Sequence, residues 1–241
     1  MKDLSNFALI GADNPRTRAY LQLLFREGYR LHTCYIMAKD TSLLEQAAAY
    51  TETKPCSDYF EWEQPILYTL QKAGVPYVLV QTDSINDDCV RELIRGIEEQ
   101  YLIYSGFGGQ IIKKELFDLG KTFIHVHSGI LPQYRGSTTV YYSLLQEGIC
   151  GASAIIMTPK LDDGNVIAEA RFPMPPKDVN IDYIYDPYIR AKVLIAAIDS
   201  FVGQGVFTGR KQKERDERTY YIAHPVLRHI VRLAQDSEGG V

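Results

Sequence analysis

The sequence lacks several features that would assign a class of protein at once. Its 241 residues contain four cysteines, Cys34, Cys56, Cys89 and Cys150, with no C-x-x-C pair. This spacing is poor evidence for a disulfide framework or a zinc site, so we expect reduced, buried thiols. No apolar run approaches the ~20 residues of a membrane helix, and the start of the chain lacks the layout of a signal peptide. The sequence therefore predicts a soluble, cytoplasmic protein without a membrane partner.

An excess of positive charge is also missing. The net charge of -4 argues against a broad nucleic-acid surface. The basic stretch at residues 210–213 is soon followed by acids, which is typical of a solvated loop. With 46% apolar and 23% charged residues, the chain can bury a core as one large domain or as one domain with a small appendage.

Segments with strand and helix patterns alternate along the chain. This alternation predicts an α/β fold with a doubly wound, mostly parallel sheet. We place a catalytic domain at residues 1–202 and a connector with a small C-terminal appendage at residues 203–241. Strands are predicted at residues 7–11, 31–37, 76–80, 101–104, 123–127, 152–157 and 165–172, and helices at residues 17–25, 87–100, 113–119, 139–145 and 186–201.

Two histidines share one predicted strand. Because His125 and His127 are two residues apart, their rings are expected on the same face. Gly129, Pro132 and Gly136 follow, so the pair lies where a strand gives way to a loop, as ligand sites do in open α/β sheets. Such a pair could bind a metal together with a distant acid. Alternatively, one ring acts as an acid, a base or a polarising donor near neutral pH.

Three loops complete the candidate chemistry. Residues 105–111 hold three glycines in four positions, which exposes backbone groups suited to a flat heteroaromatic ring and equally to an ordinary turn. Residues 11–16 lack the three glycines of a pyrophosphate-binding turn, so no nucleotide cofactor is predicted there. Asp162, in the turn at residues 161–164, either forms an Asx turn or pairs with one of the histidines.

The order and spacing of four motifs connect these observations. The motifs are Gly106-Phe107, the HxH strand, Leu131-Pro132-x-x-Arg135-Gly136 and Asp162-x-Gly164. As a set, they make this sequence similar to the formyl transferase family that uses 10-formyltetrahydrofolate. The likeness in organisation covers residues 7–201, and the matches of individual residues concentrate between residues 106 and 167. The resemblance implies a Rossmann-like fold and an N-formyltransferase activity without a metal.

The resemblance also implies roles for individual residues. His127 corresponds to the family's catalytic histidine and Asp162 to its catalytic aspartate. His125 stands where the family has a catalytic asparagine, so we expect it to serve as an oxyanion donor or to position the amine; loss of one such donor typically costs about 3 kcal/mol. The implied pterin contacts are Phe107, Gly108, Gly109, Gln110, Ile111, Leu161 and Gly164, and the implied acceptor contacts are Arg135, Gly136, Ser137 and Thr138.

The acceptor is the less specific part of the resemblance. The tyrosines and the tail after residue 218 favour an amino sugar or sugar nucleotide, in nonulosonic (pseudaminic-type) or surface-glycan biosynthesis. An initiator-tRNA acceptor is disfavoured, because those enzymes carry a basic C-terminal domain and only about 40 residues follow the predicted core here. The alternatives are a phosphoribosylglycinamide-type enzyme, a metal-dependent hydrolase using His125, His127 and Asp162, and a folate-binding module without turnover. A homodimer is one assembly that the sequence leaves open.

Overall fold

A parallel sheet forms the core of the first of two units, residues 1–125 and 126–241, into which the chain divides. The computed structural model describes residues 2–52, 58–213 and 218–237. The elements that begin in the first unit are β1 (Lys2–Ala12), α1 (Pro15–Arg26), β2 (Tyr29–Ala38), α2 (Ser42–Ala49), α3 (Ile66–Ala73), β3 (Tyr77–Gln81), α4 (Asp88–Gly96), β4 (Tyr101–Ser105), α5 (Lys114–Phe117) and β5 (Thr122–His127). The strands are ordered β3-β2-β1-β4-β5, and every neighbouring pair is parallel.

The sequence of β1 explains its central place. Its second half is an unbroken buried run that includes Phe7, Leu9 and Ile10, as expected for a parallel strand covered on both faces. Asn14 caps the start of α1, because its side chain accepts a hydrogen bond from the backbone N of Thr17 at 3.0 Å. The strand order changes direction between β1 and β4, so their carboxyl ends flank the kind of crevice in which open α/β sheets bind ligands.

The second unit is built around an antiparallel strand pair and a long helix. Its elements are β6 (Arg135–Gly136), α6 (Thr139–Glu147), β7 (Cys150–Ile156), β8 (Asn165–Phe172), a π-helical turn (Ile181–Tyr185), α7 (Asp186–Gln204), β9 (Thr219–Tyr220) and α8 (Pro225–Ser237). β7 pairs with β8, and α7 packs against both strands. β6 pairs with β9, which attaches the C-terminal segment to the loop after β5. The hairpin connection between β7 and β8 carries Asp162.

The predicted α/β class with a mostly parallel sheet is confirmed. Three helices, α2, α3 and α8, were not predicted. The helix expected at residues 87–100 ends at Gly96, because Ile97 is already extended, with φ -80° and ψ 151°. None of the described helices is long and apolar enough to cross a membrane.

The prediction that all cysteines are buried is wrong at one position. Cys34 and Cys150 are free and buried, and burial raises the pKa of the Cys150 thiol to about 12. Cys89 is free but exposed, because it lies on the solvent side of the first turn of α4. Cys56 lies outside the described residues.

Candidate active site

His127 and Asp162 form the closest acid–base contact in the predicted site. His127 ends β5 and is 4% exposed, and its Nδ1 lies 3.3 Å from Oδ1 of Asp162. Its Nε2 lies 2.6 Å from the backbone carbonyl oxygen of Tyr134. A neutral imidazole has one N–H and satisfies one of these two oxygens, whereas the protonated ring satisfies both. The carboxylate and the carbonyl together fix the orientation of the ring.

The turn that carries Asp162 is held in an unusual conformation. Asp162 has φ 51°, in the left-handed region that residues other than glycine rarely adopt. Its Oδ2 accepts a hydrogen bond from the backbone N of Gly136 at 3.0 Å, so each carboxylate oxygen has its own partner. Gly164 is required because a Cβ there would lie 1.8 Å from the backbone oxygen of Ile156. The surrounding structure therefore determines both the strained backbone and the direction of the carboxylate.

Gln212 holds this turn from the connector that follows α7. Its Nε2 donates to the backbone oxygens of Asp162 and Gly164, at 2.7 and 2.8 Å. Its Oε1 accepts from Nη2 of Arg135 at 2.9 Å, and the same nitrogen lies 3.2 Å from Oδ1 of Asp163. Gln212 was not among the predicted site residues, because a glutamine between two lysines in a polar connector belongs to no motif. Gln212 therefore links Arg135, a predicted acceptor contact, to the turn that carries Asp162.

His125 contacts Tyr104 of β4. It is half-buried, its Nδ1 lies 3.4 Å from the backbone oxygen of Tyr104, and its ring centroid lies 6.2 Å from that of Tyr104. A contact of this length is weak for a hydrogen bond. Burial raises the pKa of Tyr104 to about 12, so this tyrosine stays neutral beside the imidazole.

Hydrogen bonds within the first unit hold the glycine-containing loop after β4 in place. Gly108 and Gly109 are exposed, with nothing within 4 Å of a Cβ at either position, and Ile111 is 60% exposed. The side chain of Gln110 is used inside the unit: its Oε1 accepts from the backbone N of Ile85 at 3.1 Å, and its Nε2 donates to the oxygen of Asp83. Asn86 donates to the oxygen of Ile111 at 2.9 Å. Hydrogen bonds at Gln110 and Ile111 therefore anchor the end of the loop, while the backbone of Gly108 and Gly109 is exposed.

The predicted acceptor residues divide into two groups. Arg135 and Gly136 reach the Asp162 turn, as described above. The hydroxyl of Thr138 instead accepts from the backbone N of Ala223 at 2.7 Å, and the backbone N of Ser137 donates to the oxygen of Tyr220 at 2.8 Å. Ser137 and Thr138 therefore hold the segment around β9 and α8 against the loop.

The described residues contain no group of three or more His, Cys, Asp and Glu side chains that could hold a metal ion. Both ring nitrogens of His127 contact protein oxygens. This is the arrangement of a hydrogen-bonded acid–base pair.

The comparisons with known proteins agree with this geometry. Residues 36–186, more than half of the chain, match the model of the family described as formyl transferase. The chain belongs to this family. A methionyl-tRNA formyltransferase from Finegoldia magna is 28% identical over 143 residues, which is 58% of this chain and 45% of that relative. The chain thus spans less than half the length of this curated relative.

Two solved structures have the same fold, and their names give different acceptors for the formyl group. The sugar 3N-formyl transferase WlaRD superposes with a TM-score of 0.58 at 18% identity, over 90% of this chain and 69% of that chain. Glycinamide ribonucleotide transformylase 1 from Symbiobacterium toebii superposes with a TM-score of 0.57 at 16% identity, over 86% of this chain and 92% of that chain. The predicted Rossmann-like formyl transferase fold is confirmed, and the fold does not distinguish between these acceptors.

Proposed function

We propose that this chain transfers a formyl group from 10-formyltetrahydrofolate to the primary amine of an amino sugar or sugar nucleotide. The observation that carries the proposal is the contact between His127 and Asp162, the two residues to which the resemblance in sequence assigns the family's catalytic roles. A histidine that is oriented by a buried carboxylate is suited to moving protons during acyl transfer. The same contact also fits other acyl acceptors, so the choice of acceptor needs separate support.

The folate supplies the formyl carbon as the second substrate. In the reaction, a bond forms between the acceptor nitrogen and the formyl carbon, and the bond from that carbon to the folate nitrogen breaks. The acceptor nitrogen loses a proton and the departing nitrogen gains one, so the transfer is balanced without an oxidant or reductant. We assign this proton movement to His127, with Asp162 keeping the imidazole in its orientation and stabilising its protonated form. Asp162 is suited to that role because Gly136 and Gln212 fix it from two sides.

His125 is proposed to donate a hydrogen bond to the oxyanion or to position the amine. Charge develops on the formyl oxygen during attack, and a donor placed in advance stabilises that charge. An imidazole N–H can replace the amide N–H that the family places at this position.

The pterin ring is proposed to hydrogen-bond to exposed backbone. In the first unit, Gly108 and Gly109 expose bare main chain beside Phe107 and Ile111, which suits a flat heteroaromatic ring. The predicted contact at Gln110 then involves its backbone, since its amide is bonded to residues 83 and 85. The other predicted pterin contacts, Leu161 and Gly164, belong to the second unit, where Leu161 is 55% exposed.

The sugar acceptor is supported by the WlaRD structure, which was obtained in the presence of dTDP and 5-N-formyl-THF. The curated relative makes methionyl-tRNA the rival acceptor, and the S. toebii structure makes glycinamide ribonucleotide another. A role in nonulosonic or surface-glycan biosynthesis in the cytoplasm is part of the same proposal.

An acceptor panel tests the proposal. The purified chain, treated with a chelator, is incubated with 10-formyltetrahydrofolate and nucleotide-linked amino sugars, free amino sugars, glycinamide ribonucleotide or methionyl-tRNA. We expect release of tetrahydrofolate and a formylated product only with an amino sugar. Product from glycinamide ribonucleotide or methionyl-tRNA alone would refute the sugar assignment. Hydrolysis that appears only after zinc is added would favour the hydrolase.

A further inference from the structure

Helix α7 contacts the chain on both sides of His127, within the second unit. Arg190 of this helix donates from Nε and Nη2 to the backbone oxygen of Val126, at 2.9 and 2.6 Å. Asp186, one turn earlier on α7, accepts from the hydroxyl of Ser128 at 2.5 Å. Val126 and Ser128 are the residues immediately before and after His127. We refer to the two helix residues as the Asp186–Arg190 pair.

The Asp186–Arg190 pair is also an ion pair. Nη1 of Arg190 lies 3.2 Å from Oδ2 of Asp186, and the two side chains are 11% and 16% exposed. Removal of two charges from water carries a desolvation penalty that their attraction does not fully offset, so a buried ion pair is weak evidence for a role in stability. Its structural effect here is a guanidinium held in one orientation toward one backbone oxygen.

The two bonds from Arg190 fix the peptide that joins Val126 to His127. Because a peptide is planar, the direction of its oxygen also sets the direction of the N–H of His127. The bond from Ser128 to Asp186 restrains the next residue. The contact between the ring of His127 and Asp162, at 3.3 Å, needs a fixed backbone as well as a fixed ring. The pair on α7 supplies the first of these requirements.

The loop beyond Ser128 is held by a separate residue. Ser153 of β7 is fully buried, and its hydroxyl donates to the backbone oxygen of Gly129 at 2.8 Å. The same hydroxyl accepts from the backbone N of Leu131 at 3.1 Å. Loss of the bonds from α7 therefore acts first on the peptides next to His127, and not on the loop that follows.

We propose that Asp186 and Arg190 are positioning residues for His127, which keep its backbone where the ring can move protons during formyl transfer. This inference rests on the proposed function and extends the site to α7. Neither side chain is assigned a contact with the folate or the acceptor. Their loss therefore lowers kcat and leaves the KM of both substrates unchanged.

Steady-state kinetics and thermal unfolding test the proposal with two variants. Arg190→Met leaves Asp186 without its cation, so we expect it to lower both the unfolding temperature and kcat. The double variant Asp186→Asn, Arg190→Met removes both charges, and the asparagine can still accept from Ser128. We expect its unfolding temperature to recover toward that of the wild type, while kcat stays at least about tenfold lower. Lys192→Ala, an exposed lysine on the same helix, is the control.

Two kinetic outcomes overturn the proposal. A double variant with a recovered unfolding temperature and the wild-type kcat would show that the pair serves stability alone. A higher KM for either substrate with an unchanged kcat would assign the pair to substrate binding. Ser128→Ala removes one hydroxyl and no charge, so it is expected to unfold at about the wild-type temperature and to lower kcat by a smaller factor. A wild-type kcat in Ser128→Ala and in Arg190→Met also overturns the proposal.

NMR of the protein with ring-15N-labelled histidine separates this inference from the proposed function. His127→Gln identifies the signals of His127. At a fixed pH, we expect Lys192→Ala to keep the wild-type shifts of both ring nitrogens, and the double variant and Ser128→Ala to move them toward the averaged shift of a free imidazole. Unchanged shifts in both variants overturn the positioning role even if formyl transfer is observed. Changed shifts in a protein that transfers formyl to no acceptor refute the proposed function and leave the positioning role standing.

Discussion

The side-chain amide of Gln212 donates to the backbone oxygen of Asp162 at 2.7 Å, across 50 positions of sequence. Asp162 is left-handed at φ 51°, and this bond is one of the contacts that keep it there. Gln212 of the connector therefore helps to position the carboxylate of Asp162 that faces His127, through a bond to the backbone of Asp162.

Replacement of Gln212 by alanine is expected to lower kcat about tenfold. The variant loses two hydrogen bonds to the turn, each worth roughly 0.5–1.5 kcal/mol, and the carboxylate of Asp162 then samples other orientations. The KM for 10-formyltetrahydrofolate should not change. Steady-state kinetics measure both constants, and Gln204→Ala, at the exposed end of α7, is the control. A kcat equal to that of the wild type would show that Gln212 has no positioning role.

Substitution of Gly164 by alanine is expected to destabilise the protein by about 3 kcal/mol or more. The new Cβ would lie 1.8 Å from the backbone oxygen of Ile156, and backbone cannot move aside as a flexible side chain can. Gly203→Ala is the matched control, because nothing lies within 4 Å of its Cβ and alanine favours a helix by up to about 1 kcal/mol. Urea unfolding measures both. Equal free energies of unfolding for the two variants would contradict the geometry of the turn.

Glu147 is expected to contribute a pH-dependent stability. Its pKa is lowered from 4.5, chiefly because the hydroxyl of Tyr134 donates to it, with further donors from Arg171 and Gln133. A carboxyl whose pKa is lowered by folding stabilises the protein above its unfolded pKa, and this contribution is lost as the pH falls through the folded pKa. The stability advantage of the wild type over Glu147→Gln should therefore be present at neutral pH and disappear below pH 4.5.

Urea titrations of both proteins across acidic and neutral pH check this expectation. Tyr134→Phe removes the main donor and should reduce the pH-dependent part of the difference. A difference between wild type and Glu147→Gln that stays constant with pH would contradict it.

His125→Ala is expected to lower the transfer rate about a hundredfold, because an oxyanion donor typically contributes about 3 kcal/mol. His125→Asn should retain most of the activity, since an amide restores an N–H donor at this position. Single-turnover rates at several pH values measure both variants. An alanine variant as fast as the wild type would remove His125 from the mechanism. An asparagine variant much faster than the wild type would support the alternative that this chain is a folate-binding module with little turnover.

The strands and helices that were predicted correctly are those with a clear pattern of apolar residues in the sequence. The strand before Gly11 is a continuous apolar run, and the HxH strand contains the strand formers Phe123, Ile124 and Val126. α7 has buried apolar residues at helical spacing between Ile189 and Ile198. α3 was missed because only eight residues separate Pro65 from Gly74, too few to show a clear period. The helix at residue 88 was predicted too long because the sequence does not show that Ile97 becomes extended.

The residues of the site also fall into those that a sequence motif reveals and those whose role depends on tertiary contacts. His127 and Asp162 were identified because their motifs have characteristic neighbours, and the structure brings them within 3.3 Å. Gln212 was not identified because its role depends on where the connector after α7 returns to the turn. The hydrogen bond from the backbone N of Ala223 to the hydroxyl of Thr138 was not predicted, because hydroxyl residues after a turn serve binding and local structure equally well by sequence.

The most direct test of the account is the rate of formyl transfer by Asp162→Asn. The variant keeps the size of the side chain and removes the charge that faces His127, while Asp178→Asn, an exposed position in the same unit, serves as the control. Single-turnover formation of the formylated amino sugar, followed by mass spectrometry, gives the rate for each protein. We predict that Asp162→Asn is at least about a hundredfold slower than the wild type and that Asp178→Asn is unchanged. Product formation by Asp162→Asn at the wild-type rate would contradict the assignment of the His127–Asp162 pair as the catalytic centre.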